Sequence, residues 1–252
     1  NDDEFVPRAF AVGLANGHSL LFDLDRGAIR QWTIGDFARQ RTQGKSWFWD
    51  MAGITLMTGI GKQSDIVLAR CDRDSGDVID PVANDGSISQ LVDYEITANR
   101  VEMNYRLTFL IDDNKHDVVV NERYSAEPPS SSEGTGCLRS IRVGEVPDEF
   151  DVLVRRPVPT QAFGEAGVTS AARWNNVASE EFARLEPLHN TAEILLKYHC
   201  SLQPTMAGDV PVVSREPPLA ETVRTVPGFD GVRLPIDAAI MPTAMTWTND
   251  GT

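Results

Sequence analysis

The sequence predicts a mainly β protein, an antiparallel β-sandwich with a short helical or irregular C-terminal extension. Residues 101–109 alternate apolar and polar side chains, which gives one buried and one solvated face. Several other short strand-like segments follow one another between turns rich in Gly, Asn and Asp, without regular helices between them. This arrangement favours a sandwich over a doubly wound α/β fold.

The N-terminal strands are predicted by two turns. Residues 9–14 and 19–22 flank an Asn-Gly pair at 16–17, which favours a type I′ hairpin. A second turn at 25–27 leads into residues 28–34, so these three strands are expected to form an antiparallel meander.

The following strands are read in the same way. The turn at 112–115 predicts that the chain after the alternating strand returns as its partner. A loop rich in Pro, Ser and Gly then separates this hairpin from further strands. The partner strand is predicted at 117–124, before the loop, and the further strands are predicted at 137–143 and 150–154, after it.

The second half predicts some helix. Ser179, followed by two glutamates, resembles a helix N-terminus, and Pro187 would end that helix. Asn190 and Glu193 resemble a capping box before the apolar residues 194–198. That last segment is too short for its periodicity to separate helix from strand.

These patterns predict three regions. Residues 1–155 form the sandwich module, and residues 156–223 form a helical or irregular connector with a proline-rich linker. Residues 224–252 are expected to begin a truncated β-propeller or a further β domain. An Asp-Gly hairpin signal at 250–251 lacks its second strand, so we expect the natural chain to continue.

Composition excludes several partners. The 252 residues contain 23 basic and 37 acidic side chains, a formal net charge of −14. Nucleic acids and anionic membrane surfaces would repel such a chain. No run of 18 apolar residues occurs, so no membrane span is expected.

The cysteines give no metal or haem motif. Cys71, Cys137 and Cys200 are isolated, and the chain has no Cys-x-x-Cys-His sequence for covalent haem. One disulfide plus a free thiol, in any of three pairings, and three buried thiols both remain open. Nucleotide-binding and hydrolase motifs are also absent, so no catalytic residue is assigned.

An acidic segment is a candidate calcium site. Asp72, Asp74 and Asp80 place oxygen ligands around a Gly-containing turn, as a hard cation requires. The spacing departs from an EF-hand, because Gly stands at the fifth position and no Glu stands at the twelfth. A solvated acidic loop is the alternative.

An aromatic segment is the candidate ligand-binding site. Trp47 and Trp49 are expected on one face of a strand with Phe48 on the other, and Asp50 could accept hydroxyl hydrogen bonds. Indoles on an exposed sheet face are suited to stacking on sugar rings. The alternative is that these rings fill the core or an interface.

Three blocks of sequence resemble a known family. They comprise residues 7–14, 18–23, 35–37 and 47–50, then 91–96 and 105–107, then 232–235, 241–247 and 250–251. They are similar to a β-rich domain of large secreted bacterial proteins of the PVC-type haem-binding class. In that class a c-type cytochrome domain and a propeller resembling glucose/sorbosone dehydrogenases accompany this domain.

The resemblance implies a cellular location and a type of assembly, and it assigns no reaction to this chain. It implies a periplasmic or extracellular location and an oxidoreductase assembly whose haem c lies in other domains. We therefore expect a non-catalytic module that binds carbohydrate or positions substrate beside other domains or subunits.

Two alternatives belong to different classes. A sugar-active enzyme resembling mutarotases or lyases would bring His18, His116, His189 or His199 against an Asp or Glu. A structural assembly subunit would bury its tryptophans in a protein interface.

Overall fold

A computed structural model describes most of the chain. It covers residues 6–43, 46–58, 64–72, 75, 78–82, 90–97, 100–127, 135–159, 166–177, 180–202, 221–223 and 231–233. The chain divides into two compact units, Asn1–Met206 and Ala207–Thr252.

The described residues form twenty β-strands. In chain order these are β1 Ala9–Gly13, β2 His18–Asp23, β3 Ala28–Ile34, β4 Ala38–Gln43, β5 Ser46–Met51, β6 Ile54–Thr58, β7 Ile66–Cys71, β8 Val78–Val82, β9 Gln90–Thr97, β10 Arg100–Ile111, β11 Asn114–Ala126, β12 Thr135–Gly144, β13 Asp151–Arg155, β14 Val158–Pro159, β15 Ala166–Ser170, β16 Trp174–Val177, β17 Glu180–Leu185, β18 Ala192–Cys200, β19 Glu221–Val223 and β20 Gly231–Arg233.

In the first unit the strands form three large antiparallel sheets and a separate hairpin. Sheet I has the order β1-β2-β3-β6-β14, sheet II the order β15-β18-β12-β11-β10-β9, and sheet III the order β16-β17-β13-β7-β8. Strands β4 and β5 pair only with each other among the described residues, and we call this hairpin the ribbon. The predicted mainly β sandwich is confirmed.

The predicted hairpins are confirmed, but the type I′ turn at Asn16-Gly17 is wrong. β1 pairs with β2, and the Gly17 N–H donates to the Leu14 carbonyl at 3.0 Å, so Ala15 and Asn16 are the central residues of this turn. Only Gly17 has a positive φ, 80°, as in a three-residue hairpin loop that ends in a left-handed glycine. Asp112 and Asp113 have φ of 48° and 63°, and β10 pairs with β11 along its whole length. Asp tolerates this left-handed conformation better than most residues do, which explains its place in the turn.

The core lies against one face of sheet II. Alternate residues of its long strands are buried, and sheets I and III contribute to the same apolar cluster. The rings of Phe22 and Tyr105 lie 5.5 Å apart, and those of Trp32 and Tyr198 lie 5.3 Å apart. Each pair joins a strand of sheet I to a strand of sheet II.

The helix predicted before Pro187 is wrong, and residues 194–198, whose pattern left helix and strand open, lie in a strand; Ser179 itself lies outside the described residues. Glu180 and Glu181 begin strand β17, and residues 192–200 form strand β18, which lies between β15 and β12 in sheet II. His189 and Asn190 adopt φ of 51° and 58°, so the supposed capping box is a tight turn. None of the described residues belongs to a helix long and apolar enough to cross a membrane.

Beyond residue 155, β17 pairs with β13 and β18 pairs with β12. In the second unit, β19 and β20 form a short antiparallel pair in which Glu221 lies opposite Arg233. The rest of residues 224–252, the expected start of a propeller or further β domain, lies outside the described residues.

Candidate functional site

The ribbon leaves sheet I at one point and returns to it at the same point. Strands β3 and β6 pair with each other up to Ile34 and Ile54, and the ribbon is inserted between them. Gly35 has φ 108°, and a Cβ on Gly53 would lie 2.5 Å from the Ile34 carbonyl oxygen. Both glycines are therefore required where the ribbon joins the sheet.

Trp49 is the most exposed large apolar side chain of the described residues, with 74% of its surface accessible. It lies on β5 directly opposite Gln40 of β4, which is also exposed. Residues opposite one another in antiparallel strands share a face, so an indole and a primary amide lie side by side on the ribbon. The alternative that this ring fills the core is excluded for Trp49.

The other predicted binding residues are placed differently. Asp50 lies opposite Arg39, and its carboxylate is 3.1 Å from the Arg41 guanidinium, so it already has a cationic partner. Alternation along β5 puts Asp50 on the opposite face of the ribbon from Trp49. Trp47 pairs with Thr42 in the backbone register, but its side chain lies outside the described residues.

The candidate calcium segment is described only in part. The Asp72 carboxylate accepts a hydrogen bond from the Ser75 backbone N–H at 2.7 Å, which is an ordinary turn contact. Asp74 and the side chain of Asp80 lie outside the described residues. The described part of the chain contains no group of three His, Cys, Asp or Glu residues that could hold a metal ion.

His18 takes part in a buried hydrogen-bond relay. Its Nδ1 accepts from the Trp32 indole N–H at 3.0 Å, and its Nε2 is 2.9 Å from the Thr135 hydroxyl, which itself donates to the Leu202 carbonyl. The neutral tautomer with hydrogen on Nε2 satisfies every partner. The charged ring would carry a second proton on Nδ1, which would face the indole N–H. Burial lowers the pKa of His18 to about 4, so the neutral ring is favoured.

A buried charge cluster lies where the three sheets meet. Arg139 donates two hydrogen bonds of 2.8 Å to the Glu122 carboxylate and one of 2.8 Å to Asp65. The hydroxyls of Tyr105 and Tyr124 also donate to Glu122. Burial raises the pKa of the Asp65 carboxyl, since two carboxylates share one guanidinium away from water.

This cluster is a structural clamp. Asp65 precedes β7 of sheet III, accepts from the Ile29 backbone N–H of sheet I and binds Arg139 of sheet II. Arg139 and Glu122 have no accessible surface, so no substrate reaches them. Neither residue is among the sites predicted from the sequence. A charged side chain at an inward position of an alternating strand was the signal that could have found them.

Within the described residues, the histidines make no contact with a carboxylate. His18 contacts Trp32 and Thr135, and no described histidine lies within hydrogen-bond or ion-pair distance of an Asp or Glu. None of Cys71, Cys137 and Cys200, all of them described, forms a disulfide, and burial raises the pKa of the Cys137 and Cys200 thiols. Thiols with raised pKa values are poor nucleophiles at neutral pH.

Comparison of the chain with protein-family models, with curated proteins and with solved structures finds no match.

Proposed function

We propose that this chain is a non-catalytic β-sandwich module that binds carbohydrate on its ribbon, with Trp49 as the stacking platform. The observation that carries the proposal is the exposed Trp49 indole beside the exposed Gln40 amide. A pyranose ring has an apolar C–H face that packs on an indole, and its hydroxyls hydrogen-bond to an amide that both donates and accepts.

The ribbon supports this function because it keeps the two groups in register. Six consecutive residue pairs join β4 to β5, and the glycines at its base hold the strands close to sheet I. A platform fixed before binding loses little conformational entropy when a ligand arrives. Asp50, paired with Arg41 on the opposite face, acts in this account by stiffening the ribbon and does not contact the sugar.

The wider setting of the module is proposed from the family resemblance alone. The module would hold substrate within a periplasmic or extracellular multidomain haem protein, beside oxidoreductase domains. The chain has no Cys-x-x-Cys-His motif, so its own residues do not fit covalent haem, and haem c would belong to other domains. Protein purified from its natural source should show a mass well above 27.7 kDa and a Soret band.

The binding proposal is tested with a panel of soluble neutral and acidic polysaccharides in affinity electrophoresis. Wild-type protein should be retarded by at least one of them. Trp49→Ala should abolish the retardation, because losing the platform should weaken binding by about tenfold or more. Tyr94→Ala is the matched control, an exposed aromatic on sheet II, and should bind as the wild type does.

The same exposed indole suits a second candidate, a structural assembly subunit whose ribbon packs against another protein. Sedimentation velocity separates the two candidates. If no polysaccharide binds and Trp49→Ala converts a self-associating chain into a monomer, the assembly function replaces the carbohydrate proposal.

A further inference from the structure

The two edges of sheet II differ in how they are covered. At one edge, Val168 of β15 points to the core side and is 1% exposed. At the other edge, Tyr94 and Ile96 of β9 lie opposite the buried Met103 and Val101, yet they are 55% and 65% exposed. The apolar face of the sheet therefore continues onto β9, where no other described strand covers it.

Strand β9 also has a backbone edge that pairs with no other strand of the described chain. It is eight residues long and is the last strand of sheet II, with β10 as its only partner among the described residues. Every second residue of such a strand directs its N–H and C=O groups away from the sheet, where another strand can pair with them.

The two faces of β9 carry different chemistry. Tyr94 and Ile96 lie on the apolar face, and the Tyr94 ring contacts that of Phe10 at 5.2 Å. Asp93 and Glu95 lie on the opposite face, and both are exposed. The carboxylate of Glu95 is 3.6 Å from the Arg100 guanidinium, a surface pair of small energetic weight.

We propose that β9 is a docking strand for an extended segment of another protein in which apolar residues alternate with Lys or Arg. The apolar side chains pack beside Tyr94 and Ile96, the basic ones lie beside Asp93 and Glu95, and the partner's backbone extends sheet II by one strand. This interface is separate from the carbohydrate ribbon and does not depend on it.

A second copy of the chain is a poorer occupant. Pairing two β9 strands antiparallel with Tyr94 opposite Tyr94 places Asp93 opposite Glu95 of the other copy, and pairing them with Tyr94 opposite Ile96 places Glu95 opposite Glu95. Like charges directly opposite one another destabilise a strand pair. The alternating basic segment removes this repulsion and supplies the opposite charge.

The test uses the full chain and a labelled peptide that alternates valine and lysine over nine residues, capped at both ends. Fluorescence anisotropy at about 50 mM salt, where charge attraction is weakly screened, should show saturable binding below about 1 mM. Amide hydrogen exchange at Tyr94 and Ile96 should slow when the peptide is bound. The same peptide with every backbone nitrogen methylated should lose binding, since it cannot pair as a strand.

Two charge variants complete the test. Glu95→Lys should weaken peptide binding by about tenfold or more, whereas Glu193→Lys, an exposed residue of β18 on the same side of sheet II, should stay within about twofold. Thermal midpoints of both should match the wild type. Failure to bind below about 1 mM, equal binding of the methylated peptide, or peptide-insensitive exchange at β9 would each overturn the proposal.

Discussion

Trp32 and Trp49 stand 17 positions apart in the sequence, Trp32 on β3 of sheet I and Trp49 on β5 of the ribbon, and their environments are opposite. Trp32 has no accessible surface, donates its indole N–H to His18 and packs edge-on against Tyr198. Trp49 is 74% exposed and lies beside Gln40. The same side chain is a structural element in the core and a binding platform on the ribbon, because only in the core does a second sheet cover it.

Among the buried residues, Arg139 should give the largest loss of unfolding free energy when it is replaced. Arg139→Ala leaves the carboxylates of Glu122 and Asp65 buried without their cation, and unfolding free energy should fall by about 5 kcal/mol. Urea unfolding measures this loss. Arg123→Ala, an exposed guanidinium that pairs with Glu102, is the control and should cost less than about 1 kcal/mol. Equal losses in the two variants would contradict the clamp.

Trp32→Ala should come next. Removing this ring opens a cavity between sheets I and II and leaves His18 Nδ1 without its donor, at a cost of about 4 kcal/mol. Urea unfolding again gives the loss. Trp32→Phe keeps most of the volume and should recover part of it. A Trp32→Ala protein as stable as the wild type would mean that the core is not packed around this residue.

The relay at His18 predicts a smaller, pH-dependent effect. The pKa of His18 is about 4 in the folded chain and 6.5 without the fold, so folding favours the neutral ring. Its contribution is fully present above pH 6.5 and is lost as pH falls towards 4, by about 3 kcal/mol in all.

His18→Gln isolates this contribution. Glutamine can accept from the indole and donate to Thr135 without titrating, so urea unfolding of this variant should lose less stability than the wild type between pH 6.5 and pH 4. His116→Gln, a histidine of β11 outside the relay, should keep the wild-type pH profile. Parallel profiles for wild type and His18→Gln would contradict the relay.

Local patterns predict much of the fold. The hairpin around Asn16-Gly17, the Asp turn at 112–115 and the alternation of 101–109 all depend on neighbouring residues alone, and the structure confirms each one. Strand β18, whose sequence left helix and strand open, shows the limit. Ile194, Leu195 and Leu196 form an apolar run that hides the alternation, because Leu195 lies on the outer face at 54% exposure.

The sites were harder to predict, because exposure depends on what covers a strand. The sequence predicts the strand that holds Trp47 and Trp49, and the structure confirms it as β5. It does not show that Trp49 is uncovered, or that Asp50 pairs with Arg41. The sequence likewise does not show that Tyr94 and Ile96 of β9 are exposed.

The smallest change in stability should come from Trp49. Trp49→Ala should alter unfolding free energy by less than about 0.5 kcal/mol, because the ring has almost no protein neighbours to lose. Urea unfolding next to Trp32→Ala measures the contrast directly. A loss of several kcal/mol in Trp49→Ala would mean that Trp49, like Trp32, stabilises the fold.

The most direct test of the account follows the indole N–H resonances of the five tryptophans by NMR during titration with a polysaccharide fragment that binds. Trp49→Phe and Trp32→Phe assign the two signals of interest. The account predicts that the Trp49 signal shifts with ligand concentration while the Trp32 signal stays fixed. A Trp49 signal that does not move while the ligand binds, or a Trp32 signal that shifts in its place, would contradict it.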